Sequence, residues 1–369
     1  MDNALFNIAI IIFAGVASQV LANKLKFPAI VPLLLIGGLL GQLGILNVQL
    51  LGGGLQTIVH IGVAIILFEG GLSLRRVNYK EAPRTIRNLI SVGLLITWAL
   101  GSAAAFLIFP ELRSSTGLRI DILFGALITV TGPTVIMPLL KNVKVEKRLS
   151  TILTWEGILI DPIGAILAVV TLTFIETAYT GGLIVREFFL SLAVGFSMGI
   201  LGGLAINYIL NKRRWIPWDL RNLFVLSAVI VVYALSDWLQ HETGVLAVTV
   251  AGIILGVMKP VGIDEIESFK GQLTTLMVSV LFILLAANLD IQQIIDLGWR
   301  AIALLAVVIF IIRPLNVFVS SLGSDLNLRE KLFLSWIAPR GIVAAAVSSL
   351  FAAKTASIIP NTVSVIFFI

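Results

Sequence analysis

Residues 154–165 read TWEGILIDPIGA and lie inside an apolar run, Leu149 to Ile175, that is long enough to cross a bilayer. A glutamate, an aspartate and a proline in mid-span need a reason. Each carboxylate at bilayer depth costs roughly 2.5–3.5 kcal/mol on insertion scales. Buried acids of this kind mark ion pathways or internal pairs, so the stretch asks both what surrounds it and what it binds.

The surroundings are membrane spans. The chain has 369 residues, 58% hydrophobic and only 12% charged, with mean hydropathy +1.05. A globular domain carries about 25% charge, and repeated apolar stretches of about 18 residues or more indicate transmembrane helices. Such stretches fall at 4–22, 28–46, 57–74, 88–109, 120–140, 149–175, 183–210, 222–239, 243–258, 269–289, 299–320 and 330–352. A thirteenth starts near 356 and reaches Ile369 after 14 residues. About 20 residues are needed to span, so this one is expected to be truncated. The start, MDNALF, lacks the positively charged region of a secretory signal, and the first span is expected to be retained.

Basic residues orient the spans. The odd-numbered links hold 19 Lys and Arg, among them Arg75, Arg76, Lys141, Lys144, Lys212 and Arg213, whereas the even-numbered links hold 5. The positive-inside rule puts the odd links in the cytoplasm, the N-terminus outside and the C-terminal end inside. The high pI of about 9.7 is therefore a topological signal, and no nucleic-acid partner is expected despite it. With no cysteine there is no disulfide or thiolate metal site, and His60 and His241 have no metal-ligand spacing. Without a carboxylate pair or a Ser/His dyad at depth, an intramembrane enzyme is disfavoured, and no cofactor is expected.

Two basic residues, Arg313 and Arg340, remain within apolar spans. The spans also show paired features in opposite orientation. ILFEGGLSL (66–74) in the third span is matched by ILLAANLDI (283–291) in the tenth, and VTGPTV (130–135) in the fifth by IAPRGIV (337–343) in the twelfth. Gly/Pro-interrupted spans at corresponding positions of two inverted halves point to the binding site of a secondary transporter.

Asp161 is the central candidate. Pro162 cannot donate to the Ile158 carbonyl, and Gly157, at i−4 from Asp161, leaves the same helix face uncrowded. An acid in such a notch holds a proton or a small cation but not both, and competition at one site opened alternately to two sides is antiport. Glu156 lies about 140° around the helix from Asp161. Needing its own partner, it is assigned a bidentate structural pair with Arg340. Arg313, before Pro314, is expected to cap carbonyls or to pair within the core. Thr131 supplies a hydroxyl, Gly132 and Pro133 break the fifth span, and Pro162 and Pro339 break the sixth and twelfth. Glu69, about 9 Å from the basic link at Arg75, reads equally as a second ion ligand or as an interfacial side chain. Asp290 reads as interfacial.

Taken together, E-G-I-L-I-D-P (156–162), FEGGLSL, TGPT, RPL (313–315) and PRGIV (339–343) resemble the monovalent cation/proton antiporter-1 family, the sodium/hydrogen exchangers. The resemblance implies an all-α polytopic fold of about 13 helices in two inverted repeats with two crossing unwound helices, working as a homodimer in the plasma membrane of a prokaryote. It implies dimerisation helices at 1–82, core helices at 83–180, a linker helix and further dimerisation helices at 181–298, and core helices at 299–369. By position Asp161 matches the essential ion- and proton-binding aspartate, Glu156 and Arg340 the structural salt bridge, and Glu69 and Thr131 accessory ion positions. The chain departs from the family at Ile160, Gly132 and Gly157, where asparagine, aspartate and serine are usual. A lone aspartate after Ile160 implies electroneutral 1:1 exchange of Na⁺ (or Li⁺) for H⁺. A K⁺/H⁺ exchanger with a regulatory C-terminal region beyond this chain, or a cation channel, are the alternatives.

Overall fold

The computed structural model describes residues 4–26, 28–46, 53–74, 82–109, 115–132, 136, 140, 145–177, 181–212, 216–260, 263–288, 295 and 298–337. Among these there are helices and no strands. The helices are α1 (Ala4–Leu25), α2 (Ile30–Gln42), α3 (Gly53–Ser73), α4 (Pro83–Asn88), α5 (Leu94–Ile108), α6 (Ser115–Leu127), α7 (Lys147–Thr177) and α8 (Gly181–Asn211). They continue with α9 (Arg221–Leu239), α10 (Thr243–Met258), α11 (Ile263–Ala287), α12 (Trp299–Val307), α13 (Arg313–Ser320) and α14 (Leu328–Trp336). Among the described residues six helical stretches are long and apolar enough to cross a membrane, and shorter apolar helices lie between them. Pro133, Pro339, Arg340, Asp290 and the thirteenth span fall outside the described residues.

The helices pack in two sets. α10 lies between α8 and α3, with α9 beside it, and α11 packs on α1, α2 and α3; α5 packs on α6, α6 on α7, and α13 on α14. α7 touches both sets, since it also meets α8 and α10. Small residues bring these helices close. A methyl on Gly252 of α10 would stand 3.0 Å from the Leu72 nitrogen and 3.2 Å from the Phe68 carbonyl carbon, so α3 and α10 cross almost backbone to backbone. The faces turned away from these contacts are apolar and exposed, as at Leu5, Phe13 and Leu201, which suits lipid tails. Trp238 and Trp299, 82% and 72% exposed, stand at helix ends, where an aromatic belt is placed.

A feature absent from the sequence pattern is a π-helical turn in each of two helices. Leu89–Gly93 joins α4 to α5, and Val308–Ile312 joins α12 to α13. These are the fourth and eleventh spans, seven apart, the same offset as the paired Gly/Pro motifs. The first π turn packs on α13: a methyl on Gly93 would stand 2.9 Å from Ser320 Oγ and 3.1 Å from Asn316 Cγ. α14 opens with a capping box, N-x-x-E. Asn327 Oδ1 accepts from the Glu330 amide at 2.9 Å, and Glu330 Oε2 accepts from the Asn327 amide at 2.6 Å.

Candidate ion-binding site

The fifth span is unwound where the Gly/Pro break stands. α6 ends at Leu127; the Thr129 and Val130 amides donate to the carbonyls of Ala126 and Leu127, and the chain then runs through Thr131 and Gly132 without helical structure. Non-helical backbone at membrane depth is tolerated where protein or a wet cavity satisfies it. Here α7 covers it. A methyl on Gly157 would come 3.6 Å from the carbonyl carbon and oxygen of Gly132. One on Gly164 would come 2.9 Å from Thr129 Oγ1 and 3.2 Å from Val130 Cα.

Those two glycines fix where Asp161 lies. They are two turns apart on one face of α7, and Asp161 is four residues after the first and three before the second. It therefore lies on the stripe that crosses the unwound segment. Asp161 is 1% exposed, and its Oδ1 has no hydrogen-bond partner. Thr131, 7% exposed, likewise keeps its Oγ1 unpartnered. Several other buried hydroxyls among the described residues satisfy themselves on their own helix, as Thr171 does on Leu167 at 2.7 Å and Thr249 on Val245 at 2.7 Å. An acid oxygen and a hydroxyl left without partners in a dry interior are costly unless something fills the gap. Both are hard oxygen ligands, as are the backbone carbonyls beside them.

Two expectations for this stretch need correcting. Pro162 does not break the helix: α7 is continuous from Lys147 to Thr177 with Pro162 inside it. The proline costs one backbone hydrogen bond, and the packed helices on either side hold the rest in place. Nor is the space beside Gly157 open, because the Ile136 Cδ1 methyl already occupies the position a Gly157 side chain would take.

Glu156 also has a different partner from the one assigned to it. Its carboxylate is held by the Arg313 guanidinium, Nη1 on Oε1 and Nη2 on Oε2 at 3.0 Å, with both side chains almost fully buried. Arg313 also donates from Nε to the carbonyls of Leu334 and Ile337, at 3.2 and 3.1 Å. It both pairs within the core and caps carbonyls at the end of α14, and the Glu156–Arg340 assignment is replaced by Glu156–Arg313. The choice follows from packing: α13 brings Arg313 to α7, with its charge fork and neighbouring carbonyls satisfied at once.

Next to this pair is a small cavity with room for about one water-sized particle, lined by Thr97, Thr129, Thr131, Glu156, Arg313 and Asn316. Asn316 Nδ2 donates to Thr97 Oγ1 at 2.8 Å, and Ser320 Oγ donates to Asn316 Oδ1 at 3.0 Å. Sequence reasoning passed over Thr97 and Asn316. A usable signal was present, since Asn316 lies three residues after Arg313 and so on the same helix face. Asp121 was also missed. It is fully buried on α6 with neither carboxylate oxygen partnered, although its place at the edge of the fifth span gave no sign of burial. Glu69 lies at the α3–α11 interface, half-buried, where a methyl on Gly271 would stand 3.8 Å from its Oε1.

Similarity to known proteins extends over nearly the whole chain. A family model described as "Sodium/hydrogen exchanger, transmembrane" matches residues 8–369. The chain is 26% identical over 359 residues to "Probable Na(+)/H(+) antiporter 2" of Methanocaldococcus jannaschii, covering 92% of this chain and 82% of the relative. It is 27% identical over 361 residues to the "K(+)/H(+) antiporter NhaP2" of a Shewanella strain, ANA-3, and covers 59% of that relative's length. The fold is that of the sodium proton antiporter MjNhaP1 from M. jannaschii: TM-score 0.86 at 22% identity, covering 98% of this chain and 94% of the other.

Proposed function

We propose that this chain, which belongs to the sodium/hydrogen exchanger family, exchanges a monovalent cation, Na⁺ foremost, for H⁺ one for one. The observation that carries the reading is Asp161: a buried acid, its Oδ1 unpartnered, on the face of α7 that crosses an unwound helix. A bare carboxylate in that interior is too costly to persist, so the site is occupied by either a proton or a cation. The Thr131 hydroxyl and the backbone carbonyls around Gly132 complete a shell for a small dehydrated ion. Because one acid serves both ions, loading one displaces the other. Opened to one side and then the other, such a site exchanges them without net charge movement.

The two sets of packed helices supply moving parts. Helices α4–α7 with α12–α14 carry Asp161, the broken span and the Glu156–Arg313 pair, and they form the core that moves against the remainder. The remainder, α1–α3 with α8–α11, is the dimerisation part of a homodimer. The excess of basic residues in odd-numbered links supports an orientation with the N-terminus outside and those links in the cytoplasm of a prokaryotic cell.

K⁺ is the second reading. Ile160, Gly132 and Gly157 leave fewer side-chain oxygens around Asp161 than the family's usual form, which weakens discrimination in favour of the smaller ion, and relatives named as K⁺/H⁺ antiporters align with 92% of this chain. Proteoliposomes with a trapped pH-sensitive dye test both readings. Li⁺, Na⁺ or K⁺ added to acid-loaded vesicles should each be compared for wild type and Asp161→Asn. Proton release by the wild type that vanishes in the variant is the expected result, and release that persists in Asp161→Asn overturns it. Rates that change when a membrane potential is imposed would overturn the 1:1 stoichiometry alone.

A further inference from the structure

The walls of the small cavity beside the Glu156–Arg313 pair have hydrogen-bonding directions that their chemistry fixes. A hydroxyl inside a helix ordinarily donates to a carbonyl one turn back, as Ser102 on α5 does to Trp98 at 2.8 Å. Thr97 on the same helix instead accepts, from Asn316 Nδ2 at 2.8 Å. An amide nitrogen only donates, so the Thr97 hydrogen is left for the cavity that Thr97 lines. The amide is held that way round. Its oxygen takes the Ser320 hydroxyl at 3.0 Å, and the first π turn closes on it, with a methyl on Gly93 standing 3.1 Å from Asn316 Cγ. Thr129 has the opposite polarity: it gives its hydrogen to the Ala126 carbonyl at 2.6 Å and can only accept from the cavity. The Glu156 carboxylate, paired with Arg313, also only accepts there. Ile160 lines the same space and brings no polar atom to it. Thr131 completes the wall, and its Oγ1 has no protein partner.

We propose that this cavity binds one structural water, which takes the hydrogens of Thr97 and Thr131 and gives its own to Thr129 and Glu156. The space suits one such molecule, and these partners use both of its hydrogens and both of its lone pairs. The consequence falls on Thr131. With its hydrogen drawn into the cavity, the hydroxyl keeps its lone pairs for a cation at Asp161; a hydrogen turned towards the ion would repel it. Thr97 and Asn316 are therefore positioning residues. Asn316 occupies a lone pair of Thr97 so that the Thr97 hydrogen faces the water, and Thr97 anchors the water that orients Thr131. The inference rests on the exchange reading and adds to it the groups, on α5 and α13, that preset one ligand of the ion.

The test uses the full chain in proteoliposomes with Na⁺ as the probe. Apparent KM and maximal rate are measured for Thr97→Val, Thr97→Ser, Thr131→Val and the Thr97→Val/Thr131→Val double variant. Thr97→Val keeps the side-chain shape and is expected to raise the KM roughly three- to tenfold, the scale of one neutral hydrogen bond, with the maximal rate near wild type. Thr97→Ser should restore the KM. In the Thr131→Val background, Thr97→Val should change the KM by less than about twofold, because the hydroxyl through which it acts is gone. A residue that merely supports the fold would give the same rise in both backgrounds. That result, an unchanged KM in Thr97→Val, or a serine variant as poor as valine would overturn the proposal. If Thr97→Val does not fold, Thr97→Ala against Thr97→Ser in the same two backgrounds reads the same coupling. A wild-type chain without Na⁺-driven proton flux would instead overturn the exchange reading on which the water site rests.

Discussion

Replacing Arg313 by glutamine removes the counter-charge that pairs with Glu156 among the described residues, and the cost can be worked from the contacts. Breaking a buried ion pair by deleting one partner costs about 3–5 kcal/mol, because the other charge is left uncompensated. Arg313 Nε also serves the Leu334 and Ile337 carbonyls, and the loss of those contacts adds about 1 kcal/mol. A total of about 5 kcal/mol can be set against the unfolding entropy, about 2.1 cal/mol/K per residue. Over 369 residues that entropy is about 0.8 kcal/mol/K, so the thermal midpoint should fall by about 6 °C. The assay is thermal unfolding of purified protein in detergent, followed by intrinsic tryptophan fluorescence, for Arg313→Gln, Glu156→Gln and the double variant. Neutralising Glu156 in the Arg313→Gln background should recover about 2–3 kcal/mol, since no orphaned charge then remains. A midpoint within a degree of wild type, or additive single variants, would refute the pairing. So would a larger coupling of Glu156 to Arg340, the partner that the sequence alone suggested.

Three further outcomes follow from the same contacts. Gly164→Ala should lower stability by about 1–3 kcal/mol and slow exchange, because its methyl would press on the Val130 backbone in the unwound segment; unfolding midpoint and vesicle flux measured side by side check this. Gly157→Ser should fold normally, since only the tip of Ile136 must give way, and should shift the Na⁺:K⁺ rate ratio towards Na⁺ by adding an oxygen beside Asp161; an unchanged ratio would place residue 157 outside the ion's shell. Gly252→Ala should destabilise the protein by forcing apart the α3–α10 crossing at Phe68 and Leu72, seen as a lower midpoint in detergent, whereas its effect on ion preference should be nil.

What could be read from residues alone was whatever insertion into a bilayer acts upon directly. Span positions follow from apolar length, and Asp161 announced itself because an acid in mid-span is costly wherever the neighbouring helices go. At the expected break of the fifth span, α6 ends at Leu127, upstream of Gly132, and Pro133 lies outside the described residues. The partner of Glu156 was not legible. Arg313 and Arg340 both lie within apolar spans in the sequence, each in want of an acid, and only the fold that brings Arg313 to Glu156 decides between them. Pro162 misled in the opposite direction, since a proline's local cost is absorbed when both faces of the helix are held. The π turns at Leu89–Gly93 and Val308–Ile312 have no compositional mark; the contact of Gly93 with Asn316 and Ser320 exists only once two distant spans cross.

The contrast between the two acids of TWEGILIDPIGA is what makes one of them available. They sit five residues apart on α7, far enough around the helix to look in different directions. Glu156 is turned towards α13, where Arg313 satisfies both of its oxygens and ties α7, α13 and the end of α14 into one body. That tie holds the helix without using the face that crosses the unwound segment. On that face the only side chain between Gly157 and Gly164 that carries charge is Asp161, and its Oδ1 is left without a protein partner. Had the basic residue reached Asp161 instead, a permanent counter-charge would have excluded the cation and held the proton off at all times. Exchange therefore depends on where the arginine is placed as much as on the aspartate, which is why the Arg313 cycle and the Asp161→Asn flux assay test two halves of one arrangement.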